Sequence, residues 1–307
     1  MGKSRHILVV TGMLLAMLFW GWSFIWYKQV FVAYPPVTVV FLRLVISSVI
    51  LLTFAHYTGR LQSIKPRDRF RMLILALFNP FLYFIGESVG VSMVSSSVSA
   101  VIISTIPLFT PIAARFCLGE KLKTINILGI LISFLGILII MFRDGWDISV
   151  SLKGLAFLML AVASAVFYAI ILKDMTGEYH PITLISIQNT IGALYFLPLV
   201  FLADSGSFLS TPLSMHVLWP LFKLAIFGSS LAFIFYTYGV REFGTSKANI
   251  YGNLIPVITA VLAAIILREP ITWKLIAGML VVLTGVLFSQ ISRVKSREKQ
   301  RNYHPGI

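Results

Sequence analysis

The sequence contains little charge and almost no cysteine for a chain of 307 residues. Only 12% of its residues are Asp, Glu, Lys or Arg, and Cys117 is its single cysteine. One cysteine excludes an intramolecular disulfide and any cysteine-based zinc or iron–sulfur cage. The five histidines are dispersed and never stand at metal-ligand spacing. Because phosphate-loop, GxSxG and HExxH patterns are also missing, the sequence indicates neither an enzyme nor a cofactor.

Apolar residues are what the sequence has in excess. They make up 58% of the chain, and the mean hydropathy is +0.92, which is more apolar surface than a soluble fold buries. Since a helix needs about 20 apolar residues to cross a bilayer, we predict an all-α polytopic membrane protein with ten transmembrane helices. The predicted spans are 7–27, 37–56, 71–91, 96–117, 124–142, 153–172, 182–203, 220–240, 246–267 and 272–291.

The net charge of +14 is distributed unevenly between the predicted loops. With the N-terminus inside, 17 of the 25 Lys and Arg residues lie on the inner side and six on the outer side. By the positive-inside rule, both termini are expected in the cytoplasm. The basic segment 292–307 is then a cytoplasmic tail that contacts anionic lipid, and nucleic-acid binding is not indicated.

The chain also contains an internal repeat. A shift of 149 positions aligns 71–136 with 220–285 without a gap, and 19 of the 66 aligned pairs are identical. The informative matches involve residue types that are scarce here, such as Gly, Pro and Glu. A shift of five spans is odd, so the second copy is predicted to be inverted in the membrane, as in many secondary transporters. We expect one five-helix repeat at 1–147 and a second at 148–291.

The residues that carry the duplication resemble a known family. Segments 91–140 and 244–288 share a small-residue start, a mid-helix proline, a Glu just past the helix and glycines at seven-residue spacing. They look like the two signature halves of the drug/metabolite transporter superfamily, EamA type. The segment 19–24 (FWGWSF) and Arg43 in the second span also resemble that family. Two residues depart from its pattern, Lys247 and Arg268.

The resemblance implies a carrier in a bacterial-type cell (inner) membrane that exports small metabolites such as amino acids. Alternating access between the two halves is the expected mechanism. An uptake carrier or an uncoupled facilitator of the same fold is an alternative, and so is a membrane subunit that does not transport.

Polar and aromatic residues near mid-depth are candidates for the substrate site, because unpartnered polar groups are costly in hydrocarbon. Helix–helix hydrogen bonding is the alternative explanation for each of them. The candidates are Trp20, Asn79, Ser104, Tyr168, Asn189, Tyr236 and Asn253.

Two prolines and four glycines recur at equivalent positions of the two halves. Pro107 and Pro256 each remove a backbone hydrogen bond in mid-helix and are predicted to be paired hinges, with static bends as the alternative. The glycines permit close backbone approach. They predict that the fifth and tenth spans pack against each other or form a homodimer face. These glycines are Gly129, Gly136, Gly278 and Gly285.

Four ionisable residues are candidates for coupling or gating. Arg43 and Glu87 lie within predicted spans at a similar depth, so a salt bridge at the outer gate or the cavity wall is expected, and Glu87 is a candidate for proton coupling. The alternatives are a permanent structural pair, or an Arg and a Glu that each extend separately to the outer headgroups. Glu120 and Glu269 end their spans at opposite membrane faces, either as gate contacts or as solvated end charges.

Overall fold

The computed structural model describes residues 3–118, 124–141, 150–203 and 214–303, and within these ranges the chain is helical and contains no strand. The predicted all-α fold is confirmed. In chain order the helices are α1 Lys3–Val30, α2 Pro36–Tyr57, α3 Pro66–Met93, α4 Ser96–Ile103, α5 Ile106–Leu118, α6 Thr124–Met141, α7 Leu152–Glu178, α8 Pro181–Ala203, α9 Met215–Phe243, α10 Thr245–Tyr251, α11 Leu254–Leu262 and α12 Trp273–Tyr303.

Eight helical segments in the described ranges are long and apolar enough to cross a membrane, when Lys247–Leu267, which contains α11 and most of α10, is counted as one segment. Two shorter apolar helices, Ser96–Thr110 and Trp273–Ser289, accompany them. Large apolar side chains also point outward from the helices: Leu131 and Phe134 of α6 are 54% and 57% exposed. In water such surfaces would aggregate, whereas in lipid they are solvated. The fold is therefore that of a multi-pass membrane protein.

Several helix starts follow directly from local sequence. Pro36 stands at the first position of α2, where its fixed φ angle suits a helix and no donor is lost. The Ser95 hydroxyl accepts a hydrogen bond from the Val98 amide at 3.3 Å and caps α4. The Ser151 hydroxyl does the same for the Gly154 amide at 3.1 Å and caps α7.

The predicted fourth and ninth spans are not continuous helices. The first is interrupted between α4 and α5 at Ser104 and Thr105, and the second between α10 and α11 at Gly252 and Asn253. Each interruption lies just before a proline of the aligned pair. The last predicted boundary also differs, because helix α12 continues through the basic segment to Tyr303 instead of ending at residue 291.

Helices α6 and α12 pack against each other in an antiparallel pair through the predicted glycines. A Cβ atom built on Gly129 would lie 2.6 Å from the Gly285 carbonyl oxygen, and one on Gly136 would lie 2.7 Å from that of Gly278. Between these contacts the Ser133 hydroxyl donates to the Val282 carbonyl at 2.9 Å. These glycines are therefore buried within one chain. We call this contact the glycine seam.

Candidate functional site

A cavity of about 90 Å³ lies between the two interrupted helix pairs. Its walls come from α1, α3, α7 and α9, and from the residues on either side of the two interruptions. We call it the central cavity. Drug-sized ligands occupy pockets of about 300 to 1,000 Å³, so the volume in this conformation suits a small solute.

Five of the seven residues suggested for substrate binding line the central cavity, although they are far apart in the sequence. Pro107 and Glu87 line it as well. The five are Trp20, Asn79, Ser104, Tyr168 and Tyr236. The cavity thus combines side chains from both predicted repeats.

The remaining two of the seven lie elsewhere. Asn189 donates hydrogen bonds to the Ser47 hydroxyl at 2.8 Å and to the Ser229 carbonyl at 3.0 Å, so it joins α8 to α2 and α9. Asn253 stands at the interruption before α11 and is not a lining residue. Asn249, one turn earlier, lines the cavity and accepts a hydrogen bond from the Tyr236 hydroxyl at 2.7 Å.

The two helix interruptions share the same local hydrogen bonding. In the first, the amide of Thr105 donates to the carbonyl of Ile102 at 3.0 Å. In the second, the amide of Asn253 donates to the carbonyl of Ile250 at 3.2 Å. Both are contacts to the residue three positions back, which tighten the helix locally. Neither Pro107 nor Pro256 offers an amide that would continue an ordinary helix through the interruption.

Helix α3 carries a third irregularity beside the cavity. Asn79 has φ −145° and ψ 118°, which are not helical angles, within a π-helical stretch at Leu77–Leu82. Its side chain is 3% exposed, and its Oδ1 atom has no hydrogen-bond partner among the described residues. An unsatisfied buried acceptor is costly, and such groups often stand at ligand sites.

Arg43 and Glu87 are both buried, with 1% and 7% exposure. The expected direct salt bridge is not among the ion pairs of the described residues, because Tyr27 lies between the two side chains. Arg43 Nη1 donates to the Tyr27 hydroxyl, and that hydroxyl donates to Glu87 Oε2 at 3.0 Å. Tyr83 donates to Glu87 Oε1 at 2.8 Å. We call these four residues the buried charge network.

The other end of the network reaches helix α9. Arg43 Nε donates to the Ser229 hydroxyl at 2.6 Å, and the guanidinium carbon lies 4.3 Å from the centre of the Phe84 ring. Gly228 makes this approach possible, because a Cβ atom there would lie 2.6 Å from Ser23 Oγ and 3.2 Å from Arg43 Nη2. Arg43 thereby joins α2 to α9 and does not line the cavity.

Glu269 joins the two predicted repeats at one end of the helix bundle. Its carboxylate accepts hydrogen bonds from the amide of Ser96 at 2.8 Å, the amide of Ser97 at 3.2 Å and the Ser97 hydroxyl at 2.8 Å. A carboxylate at a helix N-terminus satisfies free amides and complements the helix dipole. We call this contact the Glu269 clamp, and this end of the bundle the clamp face. Glu120 lies outside the described residues.

At the opposite face, contacts join the connection before α3 to the end of α7. Lys65 Nζ donates to Glu178 at 2.8 Å, and this hydrogen bond raises the pKa of Lys65. The His180 ring bonds the Tyr238 hydroxyl at 2.9 Å. Burial lowers the pKa of His180, and the charges of Arg60 and Arg241 lower it further.

Sequence reasoning missed three important residues. Tyr83 stands four residues before Glu87 on the same helix, a spacing that places the two side chains side by side, so a signal for this contact was present. Tyr27 and Asn249 gave no comparable signal, because the chain has 11 tyrosines and because Asn253, not Asn249, aligns with Ser104.

Comparison with known proteins gives consistent matches over nearly the whole chain. A sequence model of the EamA-like transporter family matches residues 7–142 and again residues 152–290. A protein of Archaeoglobus fulgidus described as an uncharacterized transporter is 28% identical over 89% of this chain and 95% of its own length. The uncharacterized transporter YvbV of Bacillus subtilis is 26% identical over 90% of each chain.

Two further likenesses are more distant. A WAT1-related chloroplastic protein of Arabidopsis thaliana is 24% identical over 93% of this chain and 70% of its own length. A protein of known crystal structure superposes with a TM-score of 0.69, covering 92% of this chain and 98% of its own, at 14% identity. The latter likeness concerns the fold alone.

Proposed function

The chain belongs to the EamA-like transporter family, and we propose that it is a secondary carrier that exports small metabolites by alternating access. The observation that carries this proposal is the central cavity, which lies between two helix pairs interrupted at equivalent places. Irregular backbone at membrane depth is tolerated only where it is buried in protein or lines a cavity. Interrupted helices around a mid-membrane site are typical of secondary transporters.

We further propose ten spans arranged as two inverted five-helix repeats. The family model matches the chain twice in succession, which supports the duplication. The glycine seam supports the inversion, since Gly129 contacts Gly285 while Gly136 contacts Gly278. These are reciprocal contacts between positions related by the shift of 149, as a two-fold axis through the seam requires. Each interrupted helix pair then forms one span.

The proposed orientation follows from charge. With most Lys and Arg residues on one side, both termini lie in the cytoplasm of a bacterial-type cell (inner) membrane. The clamp face is then the outer face, because α3 ends there after starting from the basic loop around Lys65. The Glu269 clamp accordingly holds the outer entrance closed in this conformation.

We propose the two aligned glutamates as alternate locks. Glu269 caps the start of α4 at the outer face. Glu120 is its equivalent in the other repeat, and Thr245 is the equivalent of Ser96. Thr245 Oγ1 is buried and has no hydrogen-bond partner among the described residues. A Glu120 clamp on the start of α10 would close the inner face when the outer one opens.

Glu87 is the proposed coupling residue. It lines the central cavity, and Arg43 is the charged group acting on it through Tyr27. An acid in this position binds either a proton or a substrate group, so that substrate release to the outside is linked to proton entry.

Transport by the purified protein tests the proposal. The full chain is reconstituted into liposomes that contain a mixture of radiolabelled amino acids and amines, and efflux is followed under imposed pH and potential gradients. We expect efflux of at least one solute, faster with an inward proton gradient, and a strong decrease in Tyr236→Ala. Thr284→Ala is the matched control, since this exposed hydroxyl bonds only its own helix at Leu280.

Equal solute movement in protein-free and protein-containing liposomes would contradict the carrier function and favour a membrane subunit. Movement only in the opposite direction, from the external solution into the lumen that stands for the cytoplasm, would indicate uptake. Movement that does not depend on the proton gradient would indicate a facilitator.

A further inference from the structure

The charge of the central cavity is of one sign. Glu87 is an acid, and no Lys, Arg or His is among the described residues that line the cavity. Arg43 is near but only 1% exposed, and its guanidinium donates to Tyr27 and Ser229. A ligand in the cavity therefore meets a carboxyl group and no cationic side chain.

The hydrogen-bond donors of the cavity tyrosines are already used. The Tyr83 hydroxyl donates to Glu87, that of Tyr168 donates to Gln188 at 3.1 Å, and that of Tyr236 donates to Asn249. A tyrosine hydroxyl has one proton to donate. A ligand that needs donors, such as a carboxylate, finds none free on these three tyrosines and is left with the amide nitrogens of Asn79 and Asn249.

Acceptors, in contrast, remain. A carboxylate has about four lone-pair sites, and Glu87 accepts two hydrogen bonds from described residues. Asn79 Oδ1 is buried and unpartnered among those residues. Asn79, Tyr83 and Glu87 are spaced by four residues along α3 and all three line the cavity. Asn79 and Glu87, which can each accept a further hydrogen bond, thus lie on either side of Tyr83, whose hydroxyl proton is already used.

Aromatic rings form another part of the wall. Trp20 lies 5.1 Å from Phe233 and 5.3 Å from Tyr236, measured between ring centres. Faces of Trp, Tyr and Phe attract cations and repel anions. The small volume leaves space for a short apolar chain beside the rings.

We propose that the central cavity binds a small organic amine, with its ammonium group at Glu87 and Asn79 and its apolar chain against Trp20 and Tyr236. An ammonium group has three donors and no acceptor, which matches the spare acceptors. This inference rests on the carrier function proposed above. The ammonium group and a proton then compete for Glu87: when the amine leaves the carboxylate, a proton takes its place.

Three probes of equal shape and different charge test the inference: isopentylamine, isopentanol and isovalerate. Binding to the full-length protein in lipid nanodiscs is measured by calorimetry at pH 7.5. We expect isopentylamine to bind about tenfold or more tightly than either analogue, since charge-assisted hydrogen bonds are about twice as strong as neutral ones. Amine affinity is expected to fall as the pH is lowered, because a proton then competes with the ammonium group for Glu87. The groups around this carboxyl, Tyr27, Tyr83 and Arg43, offer no other carboxylate to which the amine could bind.

Variants of Glu87 test whether this residue causes the preference for the amine. Glu87→Gln is expected to lose most of the amine affinity and to keep the affinity for the alcohol, and Glu87→Asp is expected to retain the preference for the amine. Asn79→Leu should weaken amine binding severalfold. Glu242→Gln is the control, because this carboxylate bonds Arg5 at the opposite face. Thermal unfolding of each variant identifies any that fails to fold. If Glu87→Gln does not fold, the preference for the amine in Glu87→Asp is the deciding result, and its loss would contradict the inference.

Tighter binding of isovalerate, no binding of any probe, or unchanged amine binding in Glu87→Gln would overturn the inference. The carrier function has a separate readout, namely efflux of the mixed solutes from liposomes. Efflux of an anion or a neutral metabolite without amine binding would remove the amine proposal and leave the carrier. Absence of all efflux would remove both.

Discussion

The glycine seam and the interrupted helices are built from equivalent positions of the two proposed repeats, yet they differ in symmetry. In the seam each glycine contact has its counterpart: Gly129 with Gly285, and Gly136 with Gly278. At the starts of α4 and α10, the contacts among the described residues are one-sided. Ser96 is capped by Glu269, whereas Thr245 Oγ1 has no partner in the described part of the chain.

If the proposed duplication and alternating access hold, this difference indicates which parts of the protein move. A contact that is the same in both repeats does not distinguish an inward-open from an outward-open state. A contact present at only one of two equivalent places does distinguish the two states. When the two repeats exchange conformations, the contact is lost at the first place and forms at the second. We therefore regard the seam as static and the starts of α4 and α10 as the switching elements.

Breaking the seam has the largest expected effect. A Cβ atom on Gly285 would lie 2.4 Å from the Gly129 carbonyl oxygen and 2.7 Å from the Ser133 amide nitrogen. Because backbone has to shift, Gly285→Ala should destabilise the protein by about 1 to 3 kcal/mol. Thermal unfolding in detergent measures the loss. Gly177→Ala, where nothing lies within 4 Å, is the control and should not be destabilised. Equal unfolding temperatures for the two variants would refute the tight seam.

Removing the clamp should shift the protein between states without unfolding it. Glu269→Ala deletes three hydrogen bonds to a charged group, each worth about 1.5 to 3 kcal/mol. Partial loss of this energy is enough for about a tenfold shift in population. We expect Cys introduced at Phe24, in a Cys117→Ser background, to react about tenfold faster or more with an impermeant maleimide added outside cells.

The repeat sharpens this experiment. Glu120→Ala should leave outside labelling at or below the wild-type rate, because its proposed clamp acts on the inner face. Glu242→Ala is the control for loss of a carboxylate. If Glu269→Ala and Glu120→Ala accelerate labelling alike, the two glutamates are not alternate locks.

The smallest expected effect concerns the two prolines. Pro107→Ala and Pro256→Ala each restore an amide that can continue the helix through the interruption. We expect initial transport rates severalfold below wild type with normal insertion, measured by efflux from liposomes and by protein yield in the membrane. Pro36→Ala, at the first position of α2, should transport normally. Wild-type rates in both single variants would make the interruptions static bends.

The sequence was sufficient to predict the helical fold and most helix bounds, because long apolar runs are separated by breaks that contain charged residues, Pro or Gly. It also predicted the glycine contacts, since glycine pairs at equivalent positions are rare in a chain rich in Leu and Ile. The helix interruptions were predicted only as kinks at the prolines, whereas the backbone departs from the helix two to four residues earlier.

The distances between side chains on different helices were not predictable from the sequence. Arg43 and Glu87 were placed at one depth, but depth says nothing about the distance between helices, and Tyr27 fills that distance. Asn189 resembled a site residue by its polarity and instead joins helices. Asn253 was selected by alignment with Ser104, yet the interruption at that point brings Asn249 to the cavity wall.

The Tyr27 hydroxyl carries one proton, and this proton fixes the direction of the hydrogen bonds in the buried charge network. The hydroxyl oxygen accepts from Arg43, whose guanidinium stays charged, so its own proton points to Glu87. A protonated Glu87 has one fewer acceptor site and a proton of its own to place. The same hydroxyl then reorients, and the strength of its bond to Arg43 changes with it. Since Arg43 also donates to Ser229 on α9, we expect protonation of Glu87 to alter a contact with α9, which lies in the second proposed repeat.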